Sequence, residues 1–237
     1  GQDLQFPHHE NEIAQSEGAT GKMFSHYWIH SEFLKIDDVT MSKSKGNFFT
    51  FRDLKEQGYS PLAIRYLLLS VPYRKQLNFT FEGLQGAEAT VERLRNFRTL
   101  VHDAKVRDGS NPAVAEQIKT QLAEFEAAMD DDMNTAVALA AIHNLVREMN
   151  SALAAEQLLC DDRVAVLEAI KKFDAVLGIF GEEATELLDA DIEALIEERQ
   201  EARRNRNFAR SDEIRDELAD KGIVLEDTKD GVRWKRR

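Results

Sequence analysis

The stretch Val91-Glu92-Arg93-Leu94-Arg95-Asn96-Phe97-Arg98-Thr99-Leu100-Val101 sets Val91, Leu94, Phe97 and Val101 among arginines and other polar residues. Spacings of three and four bring those four side chains onto one face of a helix and leave the charges opposite. The pattern returns three times downstream, as Leu122, Phe125 and Met129, as Leu139, Ile142, Leu145, Val146 and Met149, and as Val166, Ile170, Phe173 and Leu177. About four helices, each of about 10–20 residues, are therefore expected between Phe81 and Phe180, packed as an antiparallel bundle. Gly109-Ser110-Asn111-Pro112 and Asp161-Asp162 read as loops. Met129-Asp130-Asp131-Asp132-Met133-Asn134-Thr135 interrupts two helices and offers an N-cap to the second. Its aspartates read as structural, since carboxylates at a helix start are favoured by the macrodipole.

Upstream of the bundle the pattern changes. Residues 1 to about 80 mix aromatic and β-branched stretches with glycines, as an α/β domain does. Pro7 and the polar run after it read as a helix start, because proline suits the first helical position. His8 and Glu12 then share a face; alone, such a pair also reads as a surface ion pair or a cap. Tyr27-Trp28-Ile29-His30 through Phe33-Leu34-Lys35-Ile36 reads as buried strand, ended by Asp37-Asp38. A helix from Pro61 to Ser70 carries Ile64, Leu67 and Leu68.

Downstream, Gly181-Glu182-Glu183 is a polar hinge. Ile192, Leu195 and Ile196 begin a charged helix, Ile214 and Leu218 mark another, and Gly222 suits a C-cap. Ile223-Val224-Leu225-Glu226 and Val232-Arg233-Trp234 read as a hairpin turned by Asp230-Gly231. This unit gathers Arg203, Arg204, Arg206, Arg210, Arg215, Arg233, Lys235, Arg236 and Arg237 in an otherwise acidic chain. Such a tail reads as a solvated face or, with Phe208 and Trp234 interleaved, as a surface that stacks and hydrogen-bonds single-stranded RNA. The expected fold is mainly α in three parts: 1–80, the C-terminal part of a Rossmann-like α/β domain; 81–181, a helical bundle; and 182–237, a small α+β domain.

A formal charge of −12 over 237 residues argues against a protein that coats nucleic acid by bulk electrostatics, so RNA contact must come from local basic patches. The 43% hydrophobic content suffices for a real core. A single cysteine, Cys160, leaves no internal disulfide and fits a reducing cytoplasm. No apolar run reaches the roughly 18 residues of a membrane span, and no signal-peptide pattern opens the chain. Glycine in first place suggests that an N-terminal part is lost.

Met41-Ser42-Lys43-Ser44-Lys45-Gly46-Asn47 puts a lysine between two serines in a loop closing on glycine. Lys43 suits a point charge on a polyphosphate, with serine hydroxyls and backbone N–H groups as further donors. By itself the run also reads as a solvated loop.

With Gly1-Gln2-Asp3-Leu4-Gln5-Phe6-Pro7-His8-His9-Glu10-Asn11-Glu12 about thirty residues upstream, the run resembles the cysteinyl-tRNA synthetase family of class I aminoacyl-tRNA synthetases. Thr40 stands where that family has the first lysine of its loop, and Lys45 where it usually has an apolar residue. The tail resembles the family's anticodon-binding end, through Ser211-Asp212-Glu213-Ile214-Arg215-Asp216-Glu217-Leu218, Gly222-Ile223-Val224-Leu225-Glu226-Asp227 and Trp234-Lys235-Arg236. The resemblance thus covers essentially the whole chain.

It implies a cysteine--tRNA ligase that activates L-cysteine with ATP and Mg2+ and passes it to the 3′ end of tRNA(Cys). Lys43, with Met41, Ser42 and Ser44, would neutralise the leaving pyrophosphate, in a clamp from which Thr40, standing in place of a lysine, removes one charge. Gly1 and Asp3 would contact adenosine, Asp3 through ribose hydroxyls. His8 and Glu12 would be two Zn2+ ligands, the other two being cysteines upstream, and His9 would pack or orient a neighbour. Arg203, Asp212 and Asp227 would read anticodon base edges, Phe208 would stack, and Trp234 would belong to the same tRNA-binding surface. The family's other ATP loop would precede Gly1, so this polypeptide is expected to be inactive alone. A cytoplasmic monomer without membrane contact is expected. Two other readings stand beside this one: a non-catalytic tRNA-binding module derived from such an enzyme, favoured by Thr40, and a paralogous ligase joining cysteine to an amino sugar, disfavoured by the arginine-rich tail.

Overall fold

Residues 1–42, 46–181, 189–205, 207–220, 223–228 and 231–236 are described by the computed structural model, those at 189–191, 193, 220, 224, 226–228 and 231–236 by backbone alone. The chain folds as two compact units, Gly1–Gly181 and Glu182–Arg237.

In the first unit the regular helix α1 runs Glu10–Thr20 and ends at Gly21, whose φ of 67° lets its N–H reach the Glu17 carbonyl. The sequence points to a start at Pro7. In the structure Phe6 is extended (φ −129°, ψ 132°), as a residue preceding proline prefers, so the winding breaks there; helical geometry runs on from Pro7, through one irregular turn, into α1. The aromatic stretch after α1, by contrast, is not the buried strand its composition suggests. Only Leu34–Ile36 (β1) pairs, while Tyr27, Ile29 and Phe33 are exposed. β-branched and aromatic residues form strands where a partner strand and a core face are available, and here only the last three residues have both.

Strand β1 lies between β2 (Val39–Thr40), antiparallel to it, and β3 (Leu77–Phe79), parallel to it. Beneath them, α2 (Phe51–Glu56) and α3 (Pro61–Leu69) close a small core of Ile36, Leu54, Ala63, Ile64, Phe79, Leu84 and Ala87. A capping box starts α2: Thr50 Oγ1 accepts from the Asp53 N–H, and Asp53 accepts from the Thr50 N–H at 2.7 Å. In α3, Ile64 is buried and Leu67 packs at the rim, whereas Leu68 faces solvent.

The bundle follows as α4 (Phe81–Asp103), α5 (Pro112–Asp130), α6 (Thr135–Ala154) and α7 (Cys160–Leu177). Three of the four stripes are buried almost throughout; Leu122, Met129 and Val146 sit at the edge of the same core. Phe125 and Phe173 meet at its centre with ring centroids 4.7 Å apart. Leu84 and Ala87, in the first turns of α4, belong instead to the α/β core, so that helix is shared between the two cores.

Two details of the bundle depart from the sequence expectation or sharpen it. Asp161 and Asp162 lie in the first turn of α7 rather than in a loop, and Asp162 is buried. Its carboxylate accepts from the Asn111 N–H (2.9 and 3.1 Å), the Ser110 hydroxyl (3.1 Å) and the Leu159 N–H (3.1 Å), tying the starts of α5 and α7 together. At the α5–α6 turn, Asn134 caps α6 by accepting from Val137 N–H. Asp132, at φ 54°, takes the Tyr73 hydroxyl at 2.6 Å and the Arg74 guanidinium, a structural use of the acidic run.

Tyr66 of α3 and His143 of α6 join the α/β part to the bundle through a 2.7 Å hydrogen bond between Oη and Nε2. Burial holds the His143 imidazole below its ordinary value, and the Arg93 charge pushes the same way. A histidine with a lowered folded pKa takes up its proton more readily in the unfolded chain. Stability is then lost as pH falls through the ordinary imidazole range and is unaffected well above it. Urea midpoints are expected to drop between about pH 7.5 and 5.5, near the unperturbed imidazole pKa of about 6.5, with a smaller drop in His143→Gln. An equal drop in both proteins would assign the effect to other groups.

At its far end α7 stops at Gly178, in the left-handed region at φ 60°. The Arg65 guanidinium packs against that glycine, and its Nε donates to the Leu177 carbonyl at 2.5 Å. A cation there satisfies a terminal carbonyl and complements the helix dipole.

The second unit contains α8 (Asp189–Arg204), α9 (Phe208–Asp220) and the antiparallel pair β4 (Ile223–Thr228) and β5 (Gly231–Arg236). Its core is Ile192, Ile196, Ile214, Leu218 and Ile223, with Leu195 and Leu225 beside it. Gly231 pairs with Thr228, so it belongs to the strand rather than to the turn the sequence assigned to Asp230-Gly231. The proposed C-cap, Gly222, falls outside the described residues. Among the described residues no helix is long and apolar enough to cross a membrane.

Candidate functional site

The lysine run leaves the sheet at the end of a hairpin. Asp37 and Asp38, at φ 48° and 62°, turn β1 into β2, in the positive-φ pair that short hairpins need. Asn78 of β3 holds this turn from the side: the Asp38 N–H donates to Asn78 Oδ1 at 2.8 Å, and Asn78 Nδ2 donates to Asp38 Oδ1 at 3.0 Å. Thr40 ends β2 and is exposed, and Met41 is half-buried against the α/β core. The Ser42 N–H donates to Asn47 Oδ1 at 2.9 Å, and Asn47 Nδ2 donates to the Thr40 carbonyl at 3.3 Å. Gly46 turns the chain back at φ 68°. Lys43, Ser44 and Lys45 lie outside the described residues.

At the N-terminus Gly1 and Asp3 adjoin. A Cβ on Gly1 would come within 2.6 Å of Asp3 Oδ1 and 3.9 Å of the Ser31 carbonyl, to which the Gln2 N–H donates at 3.0 Å. The Glu32 N–H donates to the Tyr73 carbonyl, fixing the approach to β1. His8, in the wide turn, and Glu12, in α1, are both exposed. His9 is half-buried: its Nδ1 lies 2.8 Å from His30 Nε2 and its ring 4.9 Å from that of Trp28. Trp28 and His30 stack with planes 7° apart. This His9–Trp28–His30 cluster is not assigned by sequence pattern: His9 stands some twenty residues before its two partners in the chain.

Among the described residues no group of three or more His, Cys, Asp or Glu side chains is placed to hold a metal. His8 and Glu12 offer donor types that zinc accepts, an imidazole nitrogen and a carboxylate oxygen, but only two of them.

In the second unit Arg203 lies in the last turn of α8 and Phe208 opens α9, so the two flank one corner. Arg203 is exposed and Phe208 is 62% exposed. Asp212, also exposed, is one turn beyond Phe208 on the same side of α9. Asn207 accepts from the Arg210 N–H at the start of α9, and Arg210 reaches Glu198 at 3.0 Å and Glu213 at 3.1 Å, clasping the two helices. Those carboxylates hold the Arg210 guanidinium above its ordinary pKa. Asp227 and Trp234 have paired backbones, opposite Val232 and Leu225, and are described by backbone alone, while Arg206 falls outside the described residues.

Three family models match the chain in succession. Residues 1–89 match the class I (C) tRNA synthetase catalytic domain, residues 124–181 the DALR domain, and residues 185–234 the cysteinyl-tRNA ligase anticodon binding domain. A class I aminoacyl-tRNA synthetase is therefore the class to which this architecture belongs. Similar proteins include cysteine--tRNA ligases from Solibacter usitatus (48% identical), Shouchella clausii (49%) and Koribacter versatilis (44%); each match covers 100% of this chain and 51%, 51% and 54% of the relative. The chain belongs to the cysteinyl-tRNA ligase family, and it spans about half the length of the curated relatives it matches.

Proposed function

We propose that the chain supplies the lysine loop and the tRNA-binding parts of a cysteine--tRNA ligase, with residues 1–80 contributing to catalysis, 81–181 forming the bundle and 182–237 reading the anticodon. The observation that carries this reading is the mount of the lysine run at the exit of a β hairpin: Asn78 holds the β1–β2 turn, Asn47 accepts from the Ser42 N–H, and Met41 packs against the α/β core. Such a mount gives the run fixed ends on either side of Lys43.

In the proposed reaction a carboxylate oxygen of L-cysteine attacks the α-phosphorus of ATP, and the bond to the bridging oxygen of the β-phosphate breaks, releasing pyrophosphate. A hydroxyl at the 3′ end of tRNA(Cys) then attacks the activated carbonyl carbon, and AMP leaves. Neither step needs a covalent link to the protein, so positioning and charge neutralisation carry the rate. Lys43 is assigned the charge on the departing pyrophosphate, with Mg2+ accompanying ATP. Ser42 and Ser44 donate hydrogen bonds, Thr40 and Met41 anchor the run, and Gly1 and Asp3 take the adenosine.

His8 and Glu12 are proposed to hold zinc together with ligands from elsewhere in the intact protein. When bound, zinc would favour a soft sulfur ligand over oxygen and so distinguish cysteine from serine. The proposed setting is the cytoplasm, with the protein acting as a monomer.

Arg203, Phe208, Asp212, Asp227 and Trp234 are proposed to contact the anticodon. Phe208→Ala is expected to weaken tRNA(Cys) binding by about 1–3 kcal/mol, the value of one base–aromatic stack, with no change in cysteine-dependent ATP–pyrophosphate exchange. Unchanged affinity in a filter-binding titration would remove Phe208 from the surface. The whole reading is tested on the intact gene product: exchange that requires cysteine, and charging of tRNA(Cys), support it. tRNA binding without exchange would instead leave a tRNA-binding module.

A further inference from the structure

We infer that Asn47 is a positioning residue for the lysine loop: its side-chain amide fixes the point at which the loop leaves β2 and the point at which it returns. The inference rests on the proposed catalytic use of Lys43 and deepens it. A primary amide carries the same acceptor and donor as a peptide group. Here Oδ1 accepts from the Ser42 N–H at 2.9 Å, and Nδ2 donates to the Thr40 carbonyl at 3.3 Å, with the Val39 carbonyl at 3.5 Å as a weaker partner. One side chain thus takes the place of a neighbouring strand just where β2 runs out of partners at Thr40.

The chain geometry makes this placement useful. Ser42 and Asn47 bracket four residues, and Gly46, at φ 68°, reverses the chain just before Asn47. Met41 is held by the core on one side. With Asn47 holding the other, Ser42, the residue before Lys43 in the sequence, is tied to a fixed point. Misplacing a catalytic group by about 1 Å costs about 100-fold in rate. Asn47 touches neither substrate nor reacting atoms in this scheme; it acts through Lys43.

The test is a double-mutant cycle on the intact gene product, read by cysteine-dependent ATP–pyrophosphate exchange. Asn47→Ala is expected to lower kcat by about 10- to 100-fold with KM for cysteine unchanged. Asn47→Asp keeps an acceptor for Ser42 but loses the donor to Thr40, and should fall between Ala and wild type, also serving if the alanine variant does not fold. In a Lys43→Ala background, Asn47→Ala should add less than about two-fold, because residues acting as a unit are non-additive. Losses that multiply would make Asn47 an independent structural contributor and overturn the inference. So would Asn47 variants with normal exchange beside an impaired Lys43→Ala. If Lys43→Ala itself exchanges normally, the reading beneath fails, whatever Asn47 does.

Discussion

Replacing Lys43 by alanine in the intact gene product is expected to slow cysteine-dependent ATP–pyrophosphate exchange by about 30- to 1,000-fold, equivalent to about 2–4 kcal/mol of transition-state stabilisation. The effect should fall on kcat, since the proposed charge on the leaving pyrophosphate develops as the bond breaks rather than on binding. Lys43→Arg, which keeps the charge on a bulkier planar head, should recover part of the rate. The residues before Lys43 have anchors of their own: Thr40 ends a paired strand and Met41 packs against the α/β core. Loss of the lysine should therefore remove a charge without moving the fold. Exchange within three-fold of wild type would assign neutralisation of pyrophosphate to other groups.

The largest effect on stability is expected at Asp162. Asp162→Ala should destabilise the first unit by about 3 kcal/mol, read as a shift in urea midpoint at unchanged m-value, because it strands buried donors that each cost about 1–3 kcal/mol when unsatisfied. Those donors are the Asn111 and Leu159 N–H groups and the Ser110 hydroxyl, gathered from the starts of two helices around one buried side chain. Asp162→Asn retains an acceptor but turns an amide N–H2 toward donors, so an intermediate loss is expected. A cost below about 0.5 kcal/mol, the range of ordinary surface substitutions, would mean that water replaces the carboxylate without penalty.

Much of the bundle was legible because its information is local. Val91, Leu94, Phe97 and Val101 are buried together for the reason their spacing suggests: a helix that must hide one face has one way to turn it. The pair of helices and the hairpin of the second unit were readable on the same terms, as Ile192, Ile214, Leu218 and Ile223 meet in one core. Around Asp161-Asp162 the sequence misleads. Two adjacent acidic residues look like a solvated turn, and only the approach of Ser110 and Asn111, some fifty residues away in the chain, makes Asp162 a buried acceptor. The aromatic segment from Tyr27 to Phe33 misleads in the opposite sense. Its residues have strand propensity but no partner strand, and Trp28 instead stacks with His9 and His30.

The candidate sites divide in the same way. The sequence by itself determined the order of the parts, the four helical stripes, the lysine run with its closing glycine, and the arginine-rich end with Phe208 near Arg203. These depend on residue type and on spacings of a few residues, which backbone sterics and helical periodicity convert directly into structure. Tertiary structure alone decided that Asn78 steadies the hairpin and Asn47 closes the loop, that Asp162 joins two helix starts, and that Tyr66 meets His143 between sheet and bundle. Apart from Asn47, each of these pairings spans forty residues or more of chain. A polar side chain's partner at that range is set by where the packed cores place it, and no local pattern encodes that.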